Sequence, residues 1–336
     1  MNLQVNHFVF DSPPSSEGTG LKITAKCYTV GDSARNVAGL TLLFTHCIGS
    51  HKEQWEPTIS RLFEIQEKKG VAHRLCEAWS FDWQSHGDAA VLNHEALSTQ
   101  RGVSIYEWAP ALTAFVQSPR MRGHRIVALG HSAGAGAIML TTRVFPVSQI
   151  PYAAVLLIEP TIVTRELFNT HKDDRMAAMN FAVNATSVRR DKWVSRDAAF
   201  EWFGSRYPWN TWDPRVVRSL TEYGLQDTPS GVTLKCDRKQ EAASYPDTEG
   251  YFESAILIRR VCHALPIHII WGDGNDLVPE FIQESLSDES EGRVVASVSK
   301  VEGAGHMIVQ EQPDRLAQTV CDVLDTIVPS PAFSKL

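Results

Sequence analysis

The chain has 336 residues, 43% of them hydrophobic and 21% charged, with a formal net charge of −7. That length holds one large domain, or a core domain with an inserted lid, and the apolar fraction excludes disorder, collagen and coiled coil as global classes. A negative balance without any basic run argues against nucleic acid as the main partner, and no apolar stretch approaches the length of a membrane span.

In chain order, residues 11–20 read as a polar turn, and short β-rich runs predict strands over 24–30 and 40–45. Trp55, Ile59, Leu62, Phe63 and Ile65 recur at helical spacing and predict a helix over 54–69. Residues 74–81 read as a strand and 104–115 as a helix. A strand at 125–129, a small-residue helix at 133–142 and a strand at 153–158 follow. From 161 to about 264 the chain turns polar and helical in flavour, with Trp193, Trp202, Trp209 and Trp212 close together. The alternation then resumes: strand 266–271, helix 280–286, strand 293–300, helix 314–327. Strand–helix alternation of this kind implies an α/β fold with a mostly parallel sheet covered on both faces. The expected organisation is a core of residues 1–160 and 265–330, a helical cap at 161–264 inserted after the strand ending near Glu159, and a tail at 331–336. The six cysteines are scattered without metal spacing, and the first residues carry no secretory pattern, so free thiols in a reducing compartment are expected.

Gly130-His131-Ser132-Ala133-Gly134 joins a strand directly to a helix. A turn that tight strains the serine, and glycines two residues to either side avoid a clash. Ser132 is therefore the candidate nucleophile, placed where a helix N-terminus favours developing negative charge. His306, in the late loop Glu302-Gly303-Ala304-Gly305-His306, is the candidate base. Two acids compete to orient it. Asp276 follows the strand 266–271 in a Gly/Asn-rich turn, and Glu159 ends the strand after the nucleophile, with Pro160 fixing its exit. The place most often used in chains of order Ser, acid, His favours Asp276. Ala133 N–H is one expected oxyanion donor, and Ile48 N–H, with Cys47 N–H as the alternative, is the other. Cys47 itself has no base beside it in the sequence. Arg189, Arg190 and Lys192 form a short basic cluster, read either as a solvated face or as a contact for phosphates.

These segments together resemble the α/β-hydrolase fold. More narrowly, His46-Cys47-Ile48-Gly49-Ser50-His51-Lys52-Glu53-Gln54-Trp55-Glu56-Pro57 and Asp82-Trp83-Gln84-Ser85-His86-Gly87-Asp88 resemble stretches of fungal peroxisomal α/β-hydrolases. That group includes toxin-biosynthesis hydrolases, peroxisomal lipase-like proteins and acyl-CoA hydrolases. The resemblance implies a serine hydrolase acting on a small-molecule acyl ester or thioester, foremost the CoA thioester of a bulky or long acyl group, with no metal or organic cofactor. Epoxide and haloalkane chemistry is disfavoured, since those relatives carry a carboxylate where Ser132 stands. A carboxylesterase, lipase or lactonase is the alternative activity, and a catalytically silent binding protein the alternative class. Ser334-Lys335-Leu336 read as a peroxisomal import signal, which implies an import receptor as partner and the peroxisomal matrix as location.

Overall fold

The computed structural model describes residues 3–14, 20–71, 74–98 and 102–327. The tripeptide Ser334-Lys335-Leu336 and part of the turn at 11–20 lie outside them. Among the described residues, eight strands form one sheet in the order β1 (Gln4–Asp11), β2 (Lys22–Thr29), β4 (Leu75–Phe81), β3 (Leu40–Thr45), β5 (Arg125–His131), β6 (Tyr152–Ile158), β10 (Ile267–Gly272) and β11 (Ser297–Val301). Pairing is parallel from β4 through β11, while β1 and β2 join antiparallel at one edge. Every residue of β3 and β10 is buried, as helices on both faces require of a parallel sheet.

The predicted strands and helices of the core are present, with ends that coincide or shift by up to four residues. The largest shift is at β11, predicted from residue 293 and found from Ser297. The predicted helix at 54–69 begins with a 3-10 turn, Lys52–Trp55, before the α-helix Glu56–Gln66. Strand β1 was not expected. It pairs only with β2 and is largely exposed, and it holds its place through Phe8 and Phe10, whose rings pack on Trp79 and Phe115.

Between β6 and β10 the chain is not purely helical. Strands β7 (Lys192–Trp193), β9 (Gly231–Leu234) and β8 (Leu225–Thr228) form a small antiparallel sheet in that order. Trp193, Phe203, Trp212, Val216 and Leu220 are buried together there, with Trp202, Trp209 and Met307 packed against them. The tryptophans thus fill a core belonging to the insertion itself. At the end of the span expected as cap, Tyr251, Ala255, Ile258 and Val261 of the helix Glu249–Val261 pack into the main core, against the helix Ala133–Thr141.

That second helix reads AGAGAIMLT and is buried along its whole length, so only small side chains permit its close approach to the sheet. A Cβ on Gly134 would sit 2.6 Å from the Thr45 carbonyl oxygen, and one on Gly130 2.5 Å from the amide nitrogen of Ala135. Both obstacles are backbone and cannot rotate away. Gly130→Ala is therefore expected to lower stability by about 3 kcal/mol, read as a fall in the melting temperature.

Candidate active site

Strands β3, β5, β6, β10 and β11 run parallel, so the loops that leave their carboxyl ends gather on one edge, where open α/β sheets place their sites. Ser132 leaves β5 with φ 53° and ψ −113°. A non-glycine residue held there costs about 1–3 kcal/mol. The strain is held by its N–H donating to the Ile158 carbonyl at 2.9 Å, and by Gly130 lying against the backbone of Gly134. Ala133 opens the following helix, so its N–H has no partner inside that helix.

Ser132 Oγ lies 3.0 Å from His306 Nε2. The other ring nitrogen, Nδ1, lies 3.1 Å from Glu159 Oε2. A carboxylate there holds the proton on Nδ1 and leaves Nε2 to accept from the serine hydroxyl. Glu159 is the other non-glycine residue of positive φ among the described residues, at 46°. Its N–H donates to the Ile270 carbonyl at 2.8 Å, and its Oε1 accepts from Gly272 N–H at 2.6 Å. One carboxylate is therefore shared between the imidazole and the end of β10.

The preference for Asp276 does not match this geometry. Asp276 Oδ1 accepts the main-chain N–H of His306 at 2.8 Å, and its carboxylate lies against Gly305, so it holds the backbone of the histidine loop and not the ring. Glu159, the residue after β6, faces the imidazole, whereas Asp276, four residues beyond the end of β10, faces the backbone of the histidine loop.

His131, whose part in the site the sequence did not reveal, donates from Nε2 to the His306 carbonyl at 2.8 Å. Burial pushes its pKa down to about 3, and its Nδ1 has no hydrogen-bond partner, so the ring is neutral.

The loop after β3 carries the expected oxyanion donors. The N–H groups of Cys47 and Ile48 have no acceptor among the described residues. Burial pushes the Cys47 thiol up to about 12, so it is no nucleophile near neutral pH. The loop is tied to the segment after β4 at several points. Trp83 N–H donates to His46 Nε2 at 3.1 Å, and Gly49 N–H to His86 Nε2 at 3.1 Å. Lys52 donates from N to Asp82 Oδ1 at 2.9 Å and from Nζ to Asp82 Oδ2 and Asp88 Oδ2, each at 2.7 Å. Burial holds His46 at about 4 and His86 well below its ordinary value, so both accept as neutral rings. The two sequence motifs singled out above thus meet as one buried network beside the elbow.

Ser132 is only 6% and His306 7% exposed, and the insertion touches this edge. Lys235 reaches Asp88 at 2.5 Å, and Asp213 N–H donates to the Gln310 carbonyl at 2.8 Å. The basic cluster divides, with Arg190 and Lys192 exposed and Arg189 turned inward. Arg189 forks onto the buried Glu241 at 3.0 and 2.6 Å, and Arg190 lies over Trp193 and Trp202.

The neutral histidines carry a pH dependence. The unfolded chain binds these protons from about pH 6.5 downward, whereas the folded chain binds them only near 4 at His46 and near 3 at His131. Their contribution to stability is complete above the unfolded value and is lost as pH falls towards the folded ones. The melting temperature is expected to drop between pH 6.5 and 4. The drop should be shallower in His131→Gln, which removes one of these titrations.

The model of the alpha/beta hydrolase family matches residues 42–319. No curated protein sequence matches the chain. Among solved structures, the peroxisomal alpha-beta-hydrolase Lpx1 from Saccharomyces cerevisiae is 17% identical, with a TM-score of 0.77 over 99% of this chain and 91% of that one. E-2-(acetamidomethylene)succinate hydrolase is 18% identical, with a TM-score of 0.66 over 90% of this chain and 96% of the other. The thioesterase domain of the curacin biosynthetic pathway is 13% identical, with a TM-score of 0.65 over 96% and 100%. Together with the sheet order and the strained serine at the end of β5, the family match places the protein: the chain belongs to the alpha/beta hydrolase family.

Proposed function

We propose that the protein is a serine hydrolase that cleaves an acyl-CoA thioester through an acyl-enzyme. The observation that carries this reading is the unbroken chain of hydrogen bonds from Ser132 Oγ through the His306 ring to Glu159. His306 Nε2 takes the serine proton as Oγ attacks the acyl carbon, and Glu159 stabilises the imidazolium that results. The carbonyl oxygen, now negative, accepts from Ala133 N–H and from Ile48 N–H or Cys47 N–H. Collapse breaks the carbon–sulfur bond, and the departing thiolate takes the proton from Nε2. Water then gives a proton to His306 and attacks the acyl-enzyme. The carboxylic acid leaves and the proton returns to Ser132.

The thioester class is supported by the resemblance to acyl-CoA hydrolases and by the fold similarity to a thioesterase domain. A peroxisomal location is supported by Ser334-Lys335-Leu336 and by the similarity to a peroxisomal hydrolase.

Thiol release from a panel of acyl-CoAs, run beside simple esters and lactones, tests the reading. Ser132→Ala is expected to lose about 10⁶ in kcat and Glu159→Gln about 10⁴. Asp276→Asn, which keeps an oxygen for the His306 N–H, should stay within about tenfold. Collapse of the asparagine variant with the glutamine variant near normal would return the role to Asp276, and turnover confined to uncharged esters would mark a carboxylesterase or lactonase. For location, a fluorescent protein fused at the N-terminus should enter peroxisomes and remain cytosolic once the last three residues are deleted.

A further inference from the structure

The insertion meets the oxyanion loop through a buried charge. Glu241, in the helix Arg238–Ser244, is only 2% exposed, and its carboxylate rests on Gly49, the residue after Ile48. Gly49 has φ 77°, and a Cβ there would lie 2.6 Å from Glu241 Oε1, so no side chain separates the carboxylate from the loop. Among the described residues, the cation at ion-pair distance from Glu241 is Arg189, the residue after the helix Lys172–Val188. Arg189 Nη1 and Nη2 donate to the two carboxylate oxygens at 3.0 and 2.6 Å. Its main chain is held in turn, since Arg238 Nη1 donates to the Arg189 carbonyl at 2.6 Å.

A carboxylate in this place works against acyl transfer. The loop beneath it carries N–H donors that must receive a developing negative charge, and a like charge nearby raises the energy of that state. The sign is visible at Cys47. Burial is the main cause that pushes its thiol up to about 12, and the Glu241 charge adds to it. Arg189 acts in the opposite sense. Tyr245 and Cys236, both held up chiefly by burial, have Glu241 opposing their anions and Arg189 favouring them. Other carboxylates beside the loop have cations of their own, Asp82 with Lys52, and Asp88 with Lys52 and Lys235.

We propose that Arg189 is a positioning residue for the reaction: it neutralises Glu241, so that the insertion packs on the oxyanion loop without an uncompensated negative charge beside the reacting carbonyl. The inference rests on the serine-hydrolase reading and holds for an ester as for a thioester. The effect is asymmetric. Loss of the cation leaves a carboxylate that repels the oxyanion, whereas loss of both charges leaves the loop neutral.

The test uses the full chain with Arg189→Met, Arg189→Lys, Glu241→Gln and the double variant Arg189→Met/Glu241→Gln, each checked for folding by its melting temperature. Turnover is measured on the best substrate of the ester and thioester panel. Inhibition by octyl trifluoromethyl ketone is measured beside it, since Ser132 adds to that carbonyl to form a negatively charged hemiketal. Arg189→Met is expected to lower kcat and ketone affinity about tenfold each, with KM little changed. Arg189→Lys, which keeps the charge, and the double variant, which removes both, should return kcat to within about threefold of the unaltered protein. Glu241→Gln needs no loss of Arg189 and leaves a cation over the loop, so it should bind the ketone at least as tightly as the unaltered protein. A purely structural pair would lose affinity there too, and that result overturns the inference. Unchanged kcat in Arg189→Met overturns it as well, and so does a double variant as slow as the single one, since the loss is then packing and not charge. A protein that neither hydrolyses the panel nor binds the ketone overturns the serine-hydrolase reading and takes the inference with it.

Discussion

Asp82 is fully buried, and four donors converge on its carboxylate: the Thr24 hydroxyl at 2.6 Å, the main-chain and side-chain nitrogens of Lys52, and Asp88 N–H at 3.0 Å. A charge in that position is tolerable only while all of its partners are present, and removing one partner of such a pair costs about 3–5 kcal/mol. The pair therefore acts as a geometric constraint more than a source of net stability. Thr24 belongs to β2, Lys52 to the turn after the oxyanion loop, and Asp88 to the helix Gly87–Leu92, so one carboxylate fixes three segments to the end of β4. The surrounding charges extend the constraint. Glu53 is shared by Lys26, His51 and Lys52, and Lys26 also reaches Glu56. The 3-10 turn Lys52–Trp55 is buried throughout because of this network, and the loop bearing Cys47 and Ile48 ends on it. Amide donors that must meet a developing oxyanion need such a frame, since their value depends on being aimed before the reaction begins.

The same logic of over-determination governs the catalytic edge. Ser132 and Glu159 both hold positive φ, and each donates its N–H to the neighbouring strand, at Ile158 and Ile270 respectively. Strain at two adjacent strand ends persists because the sheet around them is fully packed. His306 is fixed at four points: ring nitrogens to Ser132 and Glu159, N–H to Asp276, and carbonyl to His131. Nothing about the imidazole is left to rotamer chance.

Much of this was legible in the sequence because its signals are local. The elbow is written in five residues, the strands of the parallel sheet are continuous apolar runs, and His306 stands in a loop between a strand and a helix. What escaped depends on strand order and on long-range partners. The choice between Glu159 and Asp276 turns on which carboxylate faces the ring and which the loop backbone, and no local pattern encodes that. Strand β1 escaped because it pairs on one side only and is largely exposed, so Val5, Phe8, Val9 and Phe10 stand among polar residues without a continuous apolar run like that of the inner strands. The roles of Lys52 and Asp82 were visible only as a resemblance between motifs 30 residues apart, and their meeting is a tertiary fact. Arg189 looked like part of a basic patch because its partner, Glu241, stands 52 residues further on.

Met307, next to His306, packs its side chain into the tryptophan-rich core of the insertion. That contact joins the insertion to the loop that bears the imidazole. If the insertion swung away, the apolar anchor beside the imidazole would go with it, and the alignment of His306 with Ser132 would loosen. On the proposed mechanism, the packing of the insertion is thereby coupled to the geometry of the proton transfer, although the two are written in different parts of the chain.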